Sequence, residues 1–364
     1  MTLPPDLLDR IRSRAAGYDD ANEFFTEDLA ELRDAGYLAP RSLLEMARDQ
    51  RLLAAHAPAT ALGINMHLVW VGVAQVLRDR GDDSLEWVLK DAAAGELFAF
   101  GNSEPGNDLV LWDSLTVAKP VDGGYAFTGT KIFTSLSPAW TRLGVFGRDG
   151  DQLVHGFITR DTPGWRSLDD WDTLGMRATQ SHTTVLDGAV VPASRVSRIL
   201  PVGPNADPFV FGIFANFLLL ISSVYAGIAD RALSLGVDAL AARKSLKTGL
   251  TYDQDPDLRW RAADAALALD ALAPQIESLA RDVDDVVDRG ASWFRDLTGV
   301  KHRSTETARY VVDQALRLAG GSGYRTSSEL ARLQRDVLAG IYHPSDTESV
   351  HSTVAANLFG PLAG

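Results

Sequence analysis

Seven histidines are the side chains of this 364-residue sequence best suited to metal binding or to proton transfer near neutral pH. They are His56, His67, His155, His182, His302, His343 and His351. No two of them stand in an HExxH or comparable ligand spacing, so the sequence predicts no metal site. His343 precedes a proline in a short loop, where a structural role is hard to assign, and its ordinary pKa of about 6.5 suits proton transfer.

Several common catalytic centres are excluded by what the sequence lacks. It contains no cysteine, which excludes disulfides, thiolate zinc sites, iron–sulfur clusters and a cysteine nucleophile. It has no GxGxxG after a strand, no GxxxxGK[ST] and no GxSxG, so Rossmann, P-loop and serine-hydrolase chemistry find no support. Gly320, Gly321 and Gly323 follow a helical pattern and by themselves indicate a helix cap rather than a phosphate cradle.

The spacing of apolar residues divides the chain into three parts. From Leu7 to Leu97, and again from Asp207 to Leu358, apolar residues recur at intervals of three and four, which predicts helices. Residues 98–192 combine short alternating runs with frequent turn residues, which predicts an antiparallel β-domain. Asp122-Gly123 predicts a hairpin turn within it. The order of helices, β-domain and helices predicts an α+β multi-domain fold.

Charge and composition restrict the possible partners. The formal net charge of -13 and a pI near 5.0 disfavour binding to nucleic acid and to anionic membranes. The first twenty residues lack the pattern of a signal peptide, and the apolar stretch from Phe209 to Ile221 looks too short and too interrupted to span a bilayer. We therefore expect a cytoplasmic protein without membrane insertion.

Five segments together resemble one enzyme family. They are Ser103-Glu104-Pro105, the strand from Gly129 to Ser135, the Leu174-Gly175-Met176-Arg177 segment, the Gly320-Gly321-Ser322-Gly323 run and the Arg335-Asp336 pair. In type, order and separation they resemble motifs of the FAD-dependent acyl-CoA dehydrogenase family across nearly the whole chain. The resemblance implies an N-terminal helical domain (1–97), a middle antiparallel β-barrel (98–206) and a C-terminal four-helix bundle (207–364). It also implies a homodimer or homotetramer with FAD at the subunit interface.

The resemblance also implies which residues contact the cofactor. The turn and the strand that face the flavin ring in the family correspond here to Phe100, Asn102, Ser103, Phe133 and Ser135. A flavin that is being reduced needs hydrogen-bonding groups near its ring nitrogens and an apolar wall that excludes water. Without the resemblance, Phe133 would be interpreted as a core residue and Ser103 as a turn residue.

A second set of cofactor contacts is implied at the subunit interface. Arg243, Arg317, Gly320 and Gly321 match the family positions that bind the pyrophosphate and adenosine of a neighbouring copy, and Thr347 matches the threonine of a Gly-Thr pair. Arg317 stands where glutamine is usual, and its guanidinium suits phosphate oxygens. Arg243 is followed by Lys-Ser-Leu-Lys instead of the usual Phe-Gly pattern.

The usual catalytic glutamate is missing. Family members carry it either in the loop after Arg-Asp, here 341–348, or on the first helix of the bundle, here 214–220, and neither place has a glutamate that matches. His343, Asp346 and Glu348 are candidate bases, although the two acids are equally suited to cap the last helix. The substrate-contacting serine of the family is replaced by Asn107.

Three functions remain open at this stage. The first is α,β-dehydrogenation of an acyl thioester with hydride transfer to flavin N5, which the Ser-Glu-Pro and Leu-Gly-Met-Arg segments favour. The second is a flavin monooxygenase of the same fold, which uses reduced flavin and O2 on a small organic substrate and needs no α-proton base. That enzyme would use FMN or FAD and a separate flavin reductase, whereas a dehydrogenase needs an electron acceptor. The third is a relative that has kept the fold but binds no flavin.

Overall fold

The computed structural model describes residues 3–360 and residue 362. Its N-terminal part is helical, as the periodicity predicts. The helices are α1 (Pro5–Ala21), α2 (Thr26–Asp34), α3 (Leu43–Ala54), α4 (Pro58–Asp79) and α5 (Glu86–Ala93). Helix α4 is apolar on nearly all sides and is buried along most of its length, so it forms the centre of this part of the core.

The middle part is a sheet of eight strands. They are β1 (Phe98–Gly101), β2 (Val117–Val121), β3 (Gly124–Lys131), β4 (Arg142–Asp149), β5 (Gln152–Thr159), β6 (Trp165–Ser167), β7 (Thr184–Pro192) and β8 (Val196–Pro201). The hydrogen-bonded order is β6-β7-β3-β2-β4-β5-β8, and β1 pairs with β4. Asp122 and Gly123 form the predicted turn between β2 and β3, with Gly123 at a φ of +81°.

The sheet departs from the predicted antiparallel barrel in two respects. Strand β4 pairs in parallel with β1 and, at a single position, with β2, while the other pairings are antiparallel. Among the described residues, the hydrogen-bonded path is open from β6 to β8. The parallel pairing arises because β1 enters the sheet directly from the N-terminal helices, and no hairpin joins β1 to β4.

The C-terminal part is again helical. It comprises α6 (Pro208–Ala241), α7 (Pro256–Asp270), α8 (Leu272–Asp284), α9 (Ser292–Ala319), α10 (Glu329–Val337) and α11 (Thr347–Phe359). The fold class is confirmed, because helices, a central β-sheet domain and helices follow one another in the predicted order. The domain bounds at 97 and 206 stay a prediction.

The apolar segment from Phe209 to Ile221 belongs to a longer helix than the sequence suggested. It is part of α6, whose 34 residues are long and apolar enough to cross a membrane, as are the 22 residues of α4. The length argument against a membrane span was therefore wrong. Burial is the argument against a membrane span. In the most apolar 18-residue stretch of each helix, 83% of α6 and 94% of α4 is buried inside the protein. Both are core helices of a soluble fold.

Candidate flavin site and the loop after Arg335-Asp336

Three of the predicted cofactor residues lie on segments that form one edge of the β-domain. The amide of Ile132 donates to the carbonyl of Ser103 over 2.9 Å, which joins the turn after β1 to the end of β3. The amides of Thr134 and Leu136 donate to the carbonyls of His182 and Thr179. The structure therefore brings the segments of Ser103, Phe133 and Ser135 together.

A chain of hydroxyl groups runs inward from Ser135. Its Oγ lies 2.8 Å from Ser181 Oγ, which lies 2.8 Å from Thr179 Oγ1. Thr179 donates to the carbonyl of Met176 over 2.9 Å. Because each hydroxyl has one proton, Ser181 must donate to Thr179, and Ser135 must donate to Ser181. The lone pairs of Ser135 are then left to accept a hydrogen bond from a ligand.

Asn102 presents a second unused acceptor. Its side chain is 8% exposed, and its Oδ1 has no hydrogen-bond partner among the described residues. A buried oxygen of this kind costs free energy unless a water or a ligand donates to it. The N3–H group of an isoalloxazine is such a donor, so Asn102 and Ser135 both fit a flavin.

Phe133 is held in a strained and exposed conformation. It has a φ of +58° and is 53% exposed, with its ring edge-on to Trp171 at 6.1 Å. Leu136, Met176 and Gln180, on the same two paired segments, also have positive φ. Non-glycine residues with positive φ are uncommon and concentrate at ligand sites. The exposed ring provides the apolar surface that was predicted at this edge.

Phe100 has a different environment from the predicted one. Its side chain is buried and packs edge-on against Trp70, with ring centroids 4.7 Å apart. Trp70 in turn donates to the carbonyl of Ala99. The ring of Phe100 is therefore part of the core. Only the backbone atoms of Phe100 could make the predicted contact with the cofactor.

A buried ion pair supports the turn that carries Ser103. Glu104 accepts from Lys131 Nζ over 2.6 Å, from Ser114 Oγ over 2.6 Å and from the amide of Thr116 over 3.0 Å. Burial by itself would raise the pKa of Glu104, but the ammonium and these hydrogen bonds outweigh it and lower that pKa to about 2. Asn107 Nδ2 also donates to Glu104, over 2.8 Å.

Asn107 was predicted to contact the substrate, but its amide group is used inside the loop. Its Nδ2 donates to Glu104 Oε2 and to the carbonyl of Asp113, and its Oδ1 accepts from the amide of Leu109. These bonds fix the path of residues 104–113. The structure therefore shows a loop-holding role for Asn107, and its substrate contact stays a prediction.

The Leu-Gly-Met-Arg segment and the Arg-Asp pair are in direct contact. Asp336 Oδ1 accepts from the amide of Met176 over 2.6 Å. A Cβ on Gly175 would lie 2.3 Å from the backbone carbon of Arg335, so only glycine allows this approach. Burial raises the pKa of Asp336 to about 6, against the opposing effect of the Met176 hydrogen bond.

Replacing Asp336 with asparagine is expected to change the pH dependence of stability. Because the folded pKa of about 6 exceeds the ordinary value of 3.8, the stability from this group is complete below pH 3.8 and is lost as pH rises through 6. Asp336→Asn retains an acceptor for the amide of Met176 but cannot ionise. The decrease in unfolding free energy between pH 3.8 and pH values above 6, at most about 3 kcal/mol, should therefore be absent in the variant. Urea unfolding of both proteins at pH 4, 5, 6 and 7 measures it. A free-energy difference between the two that does not vary with pH would contradict the assignment.

The loop that carries His343 is held by Lys301 of α9. The Nζ of Lys301 donates to the carbonyls of Gly340 (3.0 Å), His343 (2.8 Å) and Ser345 (2.7 Å). Lys301 is 1% exposed, and burial lowers its pKa to about 8, although Asp346 and Glu306 oppose this shift. All three ammonium protons are therefore used on one loop.

His343 contacts Tyr225 of α6. Its Nδ1 lies 3.0 Å from the hydroxyl oxygen of Tyr225. Burial, with a smaller effect of the Lys301 ammonium, lowers the pKa of His343 to about 3, while burial raises the pKa of Tyr225. The imidazole is consequently neutral and the phenol protonated near pH 7.

Asp346, the other predicted catalytic residue, caps α11. Its Oδ1 accepts from the amide of Ser349 over 2.8 Å and from the hydroxyl of that serine. These two bonds lower the pKa of Asp346 despite its partial burial. Thr347 and Glu348 lie exposed in the first turn of α11. The helix-capping role that the sequence also allowed for Asp346 is thus observed, and its catalytic role stays a prediction.

The predicted phosphate-binding residues meet at the end of α9. Arg243 donates from Nε to Ala239 O over 3.0 Å and from Nη2 to Leu318 O. Gly320 has a φ of +64°, and a Cβ there would lie 2.8 Å from Arg243 Nη1. Arg317 forms an ion pair with Asp313 one turn earlier. Much of the donor capacity of both arginines is therefore used within this chain.

One cavity is lined by none of the residues that were predicted to contact the flavin ring. It has a volume of about 460 Å³. Residues of α1, of the Leu-Gly-Met-Arg segment and of α10 line it, including Asp19, Arg177, Gln334 and Arg335. Opposite charges line it side by side, and neither Ser103, Phe133, Ser135 nor His343 is among its lining residues. The hydrogen-bonding geometry at the edge is therefore better evidence for a site than this cavity.

Sequence reasoning assigned no role to Lys301, Tyr225, Thr179 or Ser181. A signal existed for Lys301, because it lies four residues after Leu297 and seven before Ala308, both buried, and so falls in the apolar stripe of α9. A lysine in such a stripe requires buried acceptors. The hydroxyl chain had no signal, because residues 135 and 181 are distant in sequence.

Comparison with known proteins supports the relationship to acyl-CoA dehydrogenases that the sequence motifs indicate. Residues 219–345 match the family model described as "Acyl-CoA dehydrogenase, C-terminal domain". A putative acyl-CoA dehydrogenase, YdbM, of Bacillus subtilis is 28% identical over 97% of this chain and 94% of its own length. The amino sugar nitrososynthase DnmZ of Streptomyces peucetius is 28% identical over 94% of this chain and 83% of its own.

A solved structure agrees over almost the full length. KijD3 in complex with FMN and an amino-keto sugar nucleotide superimposes with a TM-score of 0.86 at 26% identity, and covers 98% of this chain and 92% of KijD3. The relatives thus divide between acyl-CoA dehydrogenases and nitrososynthases or monooxygenases. The motifs, the fold and these similarities together show that the chain belongs to the acyl-CoA dehydrogenase superfamily of flavoprotein oxidoreductases.

Proposed function

We propose that this protein is a flavin-dependent monooxygenase that acts on a small organic substrate. The proposal rests on which carboxylates are present at the two positions where dehydrogenases of this family carry their catalytic base. In the described loop 341–348, Asp346 caps α11 and Glu348 is exposed on the first turn of that helix. Residues 214–220 of α6 contain no carboxylate. The carboxylates of the described loop thus cap a helix or lie exposed on it, whereas oxygen transfer needs no carboxylate base.

FMN is the favoured cofactor. Reduced flavin, once bound, activates molecular oxygen for transfer to the substrate. FAD would need its additional adenosine phosphate bound, yet Arg243 donates to the end of α9 and Arg317 is paired with Asp313. FMN needs none of these contacts.

The residues of the edge would hold the flavin and exclude water. Asn102 Oδ1 and the lone pairs of Ser135 would accept from ring N–H groups, and Phe133 would cover the ring. The neutral imidazole of His343, positioned by Tyr225 and Lys301, would accept or return a proton at the substrate. We further propose a homodimer or homotetramer, a separate flavin reductase as partner and a cytoplasmic location.

An anaerobic experiment with FMN tests the proposal. We expect FMN to exchange freely on dialysis, FAD to bind no tighter than FMN, and no member of an acyl-CoA panel to bleach the oxidised flavin. After reduction by a flavin reductase and NADH, the bound FMN should reoxidise in O2 more slowly than free reduced FMN, which consumes O2 without this protein. Stoichiometric bleaching by any acyl thioester would overturn the proposal, as would the absence of flavin binding.

Dehydrogenation of an acyl thioester is the second candidate. It is favoured by the Ser-Glu-Pro turn, whose Glu104 is held by Lys131, and by the 28% identity to the putative dehydrogenase of Bacillus subtilis. His343 would then have to be the base. An imidazole would then replace the carboxylate that removes the α-proton in the family, which disfavours this candidate.

A further inference from the structure

A tyrosine of α6 and a histidine of the loop after Arg335-Asp336 form an isolated hydrogen-bonded pair. The hydroxyl oxygen of Tyr225 lies 3.0 Å from Nδ1 of His343, and the two ring centroids are 5.9 Å apart. Tyr225 is 0% exposed. Its hydroxyl has no second hydrogen-bond partner among residues 3–360 and 362. The phenol and Nδ1 therefore have to satisfy each other.

The charged groups beside the pair are used elsewhere. All three protons of the Lys301 ammonium are donated to carbonyls of the 340–345 loop. The carboxyl of Asp336 accepts from the amide of Met176 and forms no hydrogen bond with Tyr225. Its charge only adds to the larger effect of burial, which raises the pKa of the phenol. Neither group therefore replaces one member of the pair as the partner of the other.

The loop packs directly on the phenol ring, which fixes the distance between the two residues. A Cβ on Gly340 would lie 3.0 Å from Cε1 and Cζ of Tyr225 and 2.9 Å from Cγ2 of Thr305. A glycine at this position therefore permits the close approach. Lys301 holds the same loop by hydrogen bonds from α9. His343 consequently has little freedom to turn away from the hydroxyl.

The proton positions follow from the donors and acceptors of the two rings. A phenol donates one proton, and a neutral imidazole has one N–H group and one nitrogen with a lone pair. If Nδ1 of His343 carried the proton, Tyr225 would have to accept it, and its own buried proton would be left without an acceptor. If Nε2 carries the proton, Nδ1 accepts from Tyr225 and both groups are satisfied. The second arrangement is therefore the more stable one.

The other ring nitrogen of His343 is left open. Its Nε2 makes no hydrogen bond with the described part of the chain and is accessible to solvent. An N–H group at this position is a hydrogen-bond donor, so its partner has to be an oxygen or nitrogen atom with a lone pair. A neutral imidazole N–H polarises the oxygen to which it donates. The ring therefore has one nitrogen for Tyr225 and one for a ligand.

Resting on the proposed function, we infer that Tyr225 is a positioning residue, whose hydroxyl donates to Nδ1 of His343 and fixes the imidazole in the tautomer that carries its proton on Nε2. His343 then meets the substrate as a donor. Of the two directions of proton movement proposed for His343, donation therefore comes first. The substrate consequently has an oxygen or nitrogen lone pair at the atom that faces this histidine.

Nitrogen NMR of the FMN-loaded protein, labelled at histidine and measured at pH 8, tests the inference, because a protonated ring nitrogen and one with a lone pair differ strongly in chemical shift. Two other histidines provide reference patterns in the same spectrum. His67 carries its proton on Nε2, 2.8 Å from the carbonyl of Leu38, and His56 carries it on Nδ1, 2.8 Å from the carbonyl of Leu52. We expect His343, assigned through His343→Gln, to match His67, with the Nε2 tautomer favoured at least about tenfold.

Tyr225→Phe removes the hydroxyl but keeps the ring, and Tyr37→Phe is the matched control. Tyr37 is also fully buried, and its hydroxyl donates to Gln50 over 2.5 Å. Both variants should show similar falls in melting temperature, whereas only Tyr225→Phe should move the His343 nitrogen signals towards an average of the two reference patterns.

The outcomes separate this inference from the proposed function. A pattern like that of His56 for His343 in the wild type, or unchanged His343 signals in Tyr225→Phe, would overturn the inference. The wild-type spectrum decides the tautomer even if Tyr225→Phe fails to fold. FMN affinity is measured in the same samples, and a protein that binds no FMN but shows the Nε2 tautomer would overturn the proposed function alone.

Discussion

Glu104→Ala is expected to destabilise the protein by about 3–5 kcal/mol, because it leaves the ammonium of Lys131 buried without a partner. Lys131 is fully buried, with its Nζ also 4.1 Å from the ring centroid of Phe146. The same substitution removes acceptors from Ser114 and Thr116. The turn that carries Ser103 should loosen, so flavin affinity should fall with stability. Urea unfolding and FMN titration measure the two effects.

Two controls identify the buried charge as the cause. Glu277→Ala breaks a more exposed ion pair with Arg48, so we expect a loss below about 1 kcal/mol. Combining Glu104→Ala with Lys131→Met removes both charges and should restore part of the stability. A double variant no more stable than Glu104→Ala would show that hydrogen bonds, and not the charge, account for the effect.

The pH dependence of this pair has a definite sign. The folded pKa of Glu104, about 2, is below its ordinary value of 4.5, so its stabilising contribution is complete above pH 4.5. It is lost as pH falls from 4.5 towards 2. The difference in stability between the wild type and Glu104→Ala should therefore shrink over that interval.

Lys301→Met is expected to cost on the order of 3 kcal/mol and to release the loop that carries His343. Methionine fills similar space but cannot donate to the carbonyls of Gly340, His343 and Ser345. Hydrogen–deuterium exchange of residues 338–346 should accelerate at pH 7. Turnover should fall with a larger effect on kcat than on KM if His343 moves a proton.

Arg309→Met is the control on the same helix. Arg309 forms an exposed pair with Glu306 three residues earlier, so its loss should change stability by less than about 0.5 kcal/mol and leave exchange of the loop unaltered. If Lys301→Met lowers stability without changing exchange of residues 338–346, the lysine stabilises α9 and does not position His343.

The sequence alone determined the order of the elements and the segments that form the proposed flavin edge. Apolar periodicity is a local property, so it identified helices, strands and the turn at Asp122-Gly123 without knowledge of the fold. The family motifs then identified Ser103, Phe133 and Ser135, which lie on adjoining segments. The same reasoning could not distinguish an apolar core helix from a membrane span in α6, because only neighbouring helices bury it.

Tertiary structure decided which hydrogen bonds the polar candidates make within the chain. Asp346 and Asn107 have the right type and position, but a helix end and a loop use their hydrogen bonds. Lys301 and His343 are 42 residues apart and meet only because α9 packs against the loop. A donor is satisfied by whichever acceptor the fold brings within about 3 Å, and such pairings between distant segments leave no trace in local spacing.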